Sequence, residues 1–135
     1  MSKPTATRAR PLSPHLTIYR FPFAVVMSIV HRITGGALYF GTLLVAFWLA
    51  AAAASPALYD CAQWIFGTWI GRLVLLGYTW ALVHHMIGGI RHLIWDTGIG
   101  MAKHTSTLFA KMTLVLSITL TIAIWVIGYF VRGGL

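Results

Sequence analysis

The chain has 135 residues, 59% of them hydrophobic and only 9% charged, and ten Lys/Arg against two Asp/Glu give a formal net charge of +8. An average soluble domain carries roughly 25% charged residues, so this chain cannot cover a soluble surface; an ordinary soluble enzyme, a disordered chain and a collagen-like fibre are excluded, and an integral membrane protein remains. The only carboxylates, Asp60 and Asp96, are 36 residues apart, which argues against paired-carboxylate catalysis and carboxylate-rich cation sites, and the single Cys61 excludes an internal disulfide or an iron–sulfur cluster held by this chain alone.

In chain order, residues 1–22 form a basic arm interrupted by Pro4, Pro11 and Pro14. It is expected to lie on the cytoplasmic face, against lipid or a partner. Ile33 to Tyr59 is a run of 27 residues without a charge, more than the roughly 20 a spanning helix needs. The first span is placed at about 23–54, ended by Ser55-Pro56. The Ala51–Ala54 run before Ser55 resembles a signal-peptide cleavage site. Its apolar stretch is longer than a signal core of about 7–15 residues, and further spans follow, so it is read as retained.

Residues 55–68 are expected to be a loop. Leu73 to Ile90, 18 residues without Lys, Arg, Asp or Glu, marks a second span over about 68–96, with Trp64, Trp69 and Trp95 at its two interfaces. Residues 97–107 are expected to form the second loop. Met112 to Val131 is uncharged for 20 residues, and the third span is placed at about 107–131 within a membrane domain of 23–135.

The basic residues punctuate apolar runs rather than forming a stripe, which argues against a nucleic-acid partner. Lys3, Arg8, Arg10, Arg20, Arg32, Arg91, Lys103 and Lys111 fall on one side, and only Arg72 and Arg132 on the other. That asymmetry puts the N-terminus and the second loop in the cytoplasm. The predicted fold is therefore an all-α membrane protein with three transmembrane helices.

Polar groups inside a bilayer are costly and mark functional candidates. The second span holds His84, His85, Arg91, His92 and Asp96. His85, Gly89, His92 and Asp96 form one stripe at helical pitch, and Gly88 and Gly89 remove bulk beside His85. Centring this span near Leu82 puts His85 about 5 Å from the midplane. A histidine at that depth suits haem ligation, and equally a structural or proton-relay role. His84 points about 100° away from it.

On the first span, Ser28 and Arg32 share a face at i, i+4. Centring that span near residue 43 puts His31 about 18 Å from the midplane, too far to reach the same metal as His85. At that level His31 and Arg32 are placed to bind haem propionates, while Arg32 also fits a plain positive-inside anchor. A second axial histidine would have to come from another subunit. The competing reading is a non-redox small transporter whose His85, His92 and Asp96 relay protons.

Three segments carry a resemblance covering nearly the whole chain. They are Arg10-Pro11-Leu12-Ser13-Pro14-His15-Leu16, then Ser28-Ile29-Val30-His31-Arg32-Ile33-Thr34-Gly35, then the run from His85 to Asp96 with its His-x-x-x-Gly-x-Arg-His-Leu-x-x-Asp spacing. Together they resemble the large cytochrome b membrane-anchor subunits of succinate dehydrogenase (respiratory complex II). The resemblance implies that His85 is an axial ligand of haem b, with the other ligand on a second small membrane subunit of a shared helical bundle. It implies that His31 and Arg32 lie by the haem propionates, that Ser28 and Arg32 line a quinone site near the iron–sulfur subunit, and that His92 and Asp96 sit in a proton path. Succinate oxidation would then take place on a flavoprotein subunit, since this chain lacks its own flavin and iron–sulfur motifs. The Met start and the arm motif within nine residues of it are read as leaving no room for a mitochondrial presequence, so a bacterial inner membrane is expected.

Overall fold

The computed structural model describes residues 11, 12, 14 and 18–133. Most of the expected basic arm, including Lys3, Arg8, Arg10 and His15, lies outside the described residues. Four helices follow in order: α1 (Phe23–Ala54), α2 (Pro56–Gly67), α3 (Trp69–Asp96) and α4 (Lys103–Val131). There is no strand among the described residues. α1, α3 and α4 are each long and apolar enough to cross a membrane.

The expected loop over 55–68 is a helix instead. Ser55 is extended, as the residue before a proline must be, which stops α1. The same dipeptide starts α2, because the Ser55 Oγ accepts a hydrogen bond from Leu58 N at 3.3 Å and Pro56 occupies the first helical turn. Thr68 repeats the device for α3, accepting from Gly71 N at 3.0 Å. Gly71 is buried in this corner, where a Cβ would overlap the Ile65 carbonyl oxygen. The loop expected over 97–107 is shorter than predicted. It turns through Gly98 (φ 81°) and Gly100 (φ 80°), left-handed positions that suit glycine, and α4 begins at Lys103.

α3 packs against both α1 and α4, antiparallel to each. Small and hydroxylated residues make these seams. Ala110, Thr113, Ser117 and Thr121 are buried along one face of α4. Each of the three hydroxyls donates to a carbonyl one turn back, so these side chains bring no bare donor to the seam: Thr113 to Phe109 O at 2.8 Å, Ser117 to Leu114 O at 2.9 Å and Thr121 to Ser117 O at 2.7 Å. On α1, Gly41 gives up its side chain to the Tyr78 ring of α3. The buried hydrophobic set is small, namely Met27, Ala51, Ala62, Ala81, Val83 and Ala110. The larger apolar side chains point outward, as expected of helices whose surroundings are lipid.

Candidate functional site

The N-terminal part of α1 meets the C-terminal part of α3 through three histidines. The His31 and His85 rings are stacked, 4.0 Å between centroids and 1° between planes. His92 continues the column, its centroid 5.0 Å from that of His31 at 29°. Two glycines make room for it. A Cβ on Gly35 would stand 2.9 Å from His85 Cε1, and a Cβ on Gly88 would collide with His31 Nδ1. Gly89, by contrast, faces open space.

This stacking corrects the depth read from the sequence. His31 and His85 lie side by side, not on levels more than 10 Å apart. α1 has 32 residues, far more than a bilayer needs, so its midpoint does not mark the membrane midplane. His31 lies about 12 Å from the start of α1, and His85 about 16 Å from the end of α3, at about 1.5 Å per residue.

Hydrogen bonding settles the tautomer of His85. Its Nδ1 lies 3.1 Å from His31 O, which can only accept, so Nδ1 carries the proton. Thr34 Oγ1 is 3.4 Å from the same nitrogen and itself donates to His31 O at 2.9 Å. Nε2 of a neutral His85 therefore holds the free lone pair. It has no hydrogen-bond partner among the described residues. His92 Nδ1 likewise donates to Gly88 O, at 2.7 Å. His31 Nδ1 is buried without a hydrogen-bond partner among the described residues.

His84, one residue away, faces the other neighbour. It is 1% exposed, and its Nδ1 donates to Ser117 Oγ of α4 at 3.1 Å. It cannot serve the surface that His85 presents to α1. The remaining sequence candidates are not drawn into the histidine column. Ser28 is half-buried on α1, with Arg32 exposed one turn on. Asp96 is exposed at the end of α3, with no ion pair to any described residue and no hydrogen bond to His92. Sequence reasoning passed over Thr34, although its position at i+3 from His31 is the local signal for a hydroxyl bonding that carbonyl. It also passed over Ser117, whose role depends on which face of α4 meets α3.

The donor set suits a haem and not a bare ion. Among the described residues no three His, Cys, Asp or Glu side chains converge as metal ligands. One imidazole, its Nδ1–H anchored on a carbonyl and its Nε2 free, is how a protein prepares a single axial ligand.

Residues 6–124 match the family model described as the succinate dehydrogenase/fumarate reductase transmembrane subunit. The chain belongs to this family. It is 42% identical over 118 residues to the succinate dehydrogenase cytochrome b556 subunit of Paracoccus denitrificans, covering 84% of this chain and 91% of that one. The corresponding subunit of Rickettsia felis is 36% identical over 118 residues, covering 87% and 91%. The mitochondrial cytochrome b560 subunit of Sus scrofa is 36% identical over 113 residues, covering 81% and 66%. Membership in the family carries the role of a multi-pass membrane-anchor cytochrome b subunit, and the small-transporter alternative finds no support.

Proposed function

We propose that this chain anchors succinate:quinone oxidoreductase in a bacterial inner membrane, gives His85 as one axial ligand of haem b, and forms part of the quinone-reduction site. The observation that carries this reading is the bond from His85 Nδ1–H to His31 O, which points the free lone pair of Nε2 away from its anchor. Haem b, when bound, supplies a reversible one-electron store beside the quinone.

The chain's own residues do the rest. His31 buttresses the His85 ring by stacking, while Thr34 and the His31 carbonyl hold its orientation. His31 and Arg32 bind haem propionates. Ser28 donates a hydrogen bond to a quinone carbonyl oxygen, and the Arg32 guanidinium stabilises the negative charge that develops there on reduction. His92 and Asp96 follow His85 toward the end of α3 and deliver protons to the reduced quinone.

Partners complete the site. A second small membrane subunit supplies the other axial ligand, since His84 is committed to α4 and His31 is stacked on His85. An iron–sulfur subunit and a flavoprotein subunit dock on the cytoplasmic side, where succinate is oxidised. The positive-inside asymmetry supports that orientation.

Reduced-minus-oxidised absorption and electron paramagnetic resonance of the purified complex test the proposal. The wild type should show a b-type haem. His85→Ala should lose it or its low-spin signature, whereas His84→Ala should retain six-coordinate ligation. A fully assembled complex without b-type absorption, or equal spectral damage from both variants, would refute the assignment.

A further inference from the structure

Arg91 is a cation without a counterion among the described residues. It is only 4% exposed, and its Nε and Nη1 are buried with no hydrogen-bond partner among the described residues. Its guanidinium lies over the Trp95 ring, 5.0 Å from the centroid. That contact favours a positive charge but leaves the in-plane N–H groups unmet. In the sequence Arg91 brackets the second span as a topology charge and stands among its polar candidates; the structure buries it. A buried, unpaired guanidinium is strongly unfavourable, so an anion belongs beside it.

Neither carboxylate side chain of this chain supplies that anion. Asp60 lies on α2, at the other end of the bundle, and Asp96 is exposed and makes no ion pair with any described residue. Nor does the haem side. Arg91 is about 120° around α3 from His85 and falls on the face of His84, toward α4.

Arg91 instead lines a cavity of about 180 Å³ between α3 and α4. Its other walls are apolar except for Thr113, whose hydroxyl is bonded to Phe109 O, and are formed chiefly by Ile87, Ile90 and Ile94 of α3 and by Met112 and Leu116 of α4. The site therefore joins a single positive group to a largely apolar, open groove between two membrane helices. Arg91 stands five residues before the end of α3, about 7–8 Å along the axis. It stands on the end of the bundle where α4 starts with Lys103 and also carries Lys111, the end at which basic residues concentrate as they do near headgroups. A neutral quinone head does not answer a buried cation, and a small soluble anion does not fill the apolar walls.

We propose that the α3–α4 groove binds one phospholipid, its phosphate on the Arg91 guanidinium and an acyl chain between the isoleucines of α3 and Met112 and Leu116 of α4. The site lies about 120° around α3 from His85 and does not depend on the haem assignment.

The test uses the assembled complex in detergent, delipidated and then supplied with dioleoylphosphatidylglycerol, dioleoylglycerol or inorganic phosphate. Native mass spectrometry counts what is retained, and thermal unfolding reports its effect. The wild type should hold one phosphatidylglycerol more tightly than any other and unfold at a higher temperature with it. Dioleoylglycerol, which lacks the phosphate, and inorganic phosphate, which lacks the chains, should do neither. Arg91→Gln should weaken that one lipid by about tenfold or more, the loss expected for a charge-assisted hydrogen bond. Met112→Trp fills the groove from a half-exposed position with Arg91 intact, and should weaken it comparably. The proposal is overturned if both variants retain the lipid like the wild type, or if inorganic phosphate binds as well as the lipid. It is also overturned if Arg91→Gln blocks assembly while Met112→Trp leaves lipid binding unchanged, because Arg91 then pairs with an acid of a partner subunit.

Discussion

Replacing Gly35 by alanine places a methyl group 2.9 Å from His85 Cε1 and 3.4 Å from its Nδ1. Carbon atoms at rest stand about 3.5–4.0 Å apart. The His85 ring must therefore move by about 0.6–1 Å, or α1 and α3 must part by as much. The ring has little freedom to yield, with His31 stacked on it at 4.0 Å and its Nδ1 bonded to His31 O at 3.1 Å. A shift of that size along the bond carries it beyond hydrogen-bonding range. Overpacking of this kind typically costs about 1–3 kcal/mol. Gly35→Ala should accordingly lower the unfolding temperature of the complex and alter the low-spin haem signature, read as haem per complex and as resonance line shape. Gly36→Ala is the control, since a Cβ there meets nothing within 4 Å. The reasoning fails if Gly35→Ala leaves spectrum and stability unchanged. It fails equally if Gly36→Ala does the same damage, for the effect would then reflect intolerance of the α1 surface and not displacement of His85.

Ser28→Ala and Arg32→Leu should lower quinone reduction relative to succinate oxidation with an artificial dye, with each lost donor costing about 1–3 kcal/mol; a parallel fall in both activities would assign these residues to assembly. Ser117→Ala leaves the buried His84 Nδ1 without its acceptor, so the complex should lose about 1–3 kcal/mol of stability in denaturant or thermal unfolding while the haem keeps its ligation. An unchanged stability would show that the bond does not hold α3 to α4. The chain produced without its partners should not form a stable haem-loaded monomer, and a detergent-purified monomer with a b-type spectrum would contradict the shared site.

Sequence reading recovers what hydropathy and pitch encode, and it loses what depends on how helices meet. The three long helices were legible because their uncharged runs exceed a bilayer's thickness. α2 was not, because Ser55-Pro56 signals a stop and a start equally well. The division between His84 and His85 was legible, since adjacent residues on a helix point about 100° apart. The His31–His85 stack was not, because it depends on the offset between α1 and α3, and the midpoint of a 32-residue helix is a poor guide to depth. Arg91 shows the same limit. In the linear sequence it brackets an apolar run like any topology signal, and only the approach of α4 encloses it.

The adjacent histidines also give α4 a purpose that its own composition hides. None of the residues proposed for haem or quinone lies on α4. Its buried Ser117 nevertheless takes the hydrogen bond of His84, and the Trp125 Nε1 donates to Thr79 Oγ1 further along the same seam at 3.3 Å. Both bonds fix the rotation of α3 about its axis. Because His85 is the next residue, any turn of α3 that freed His84 from Ser117 would swing His85 out of its stack on His31. The small residues of α4 allow the close approach this requires, and their hydroxyls stay bonded to their own helix. With two bonds and close packing in this seam, α4 holds the rotation of α3, and with it the direction of His85, even when one of the bonds is lost.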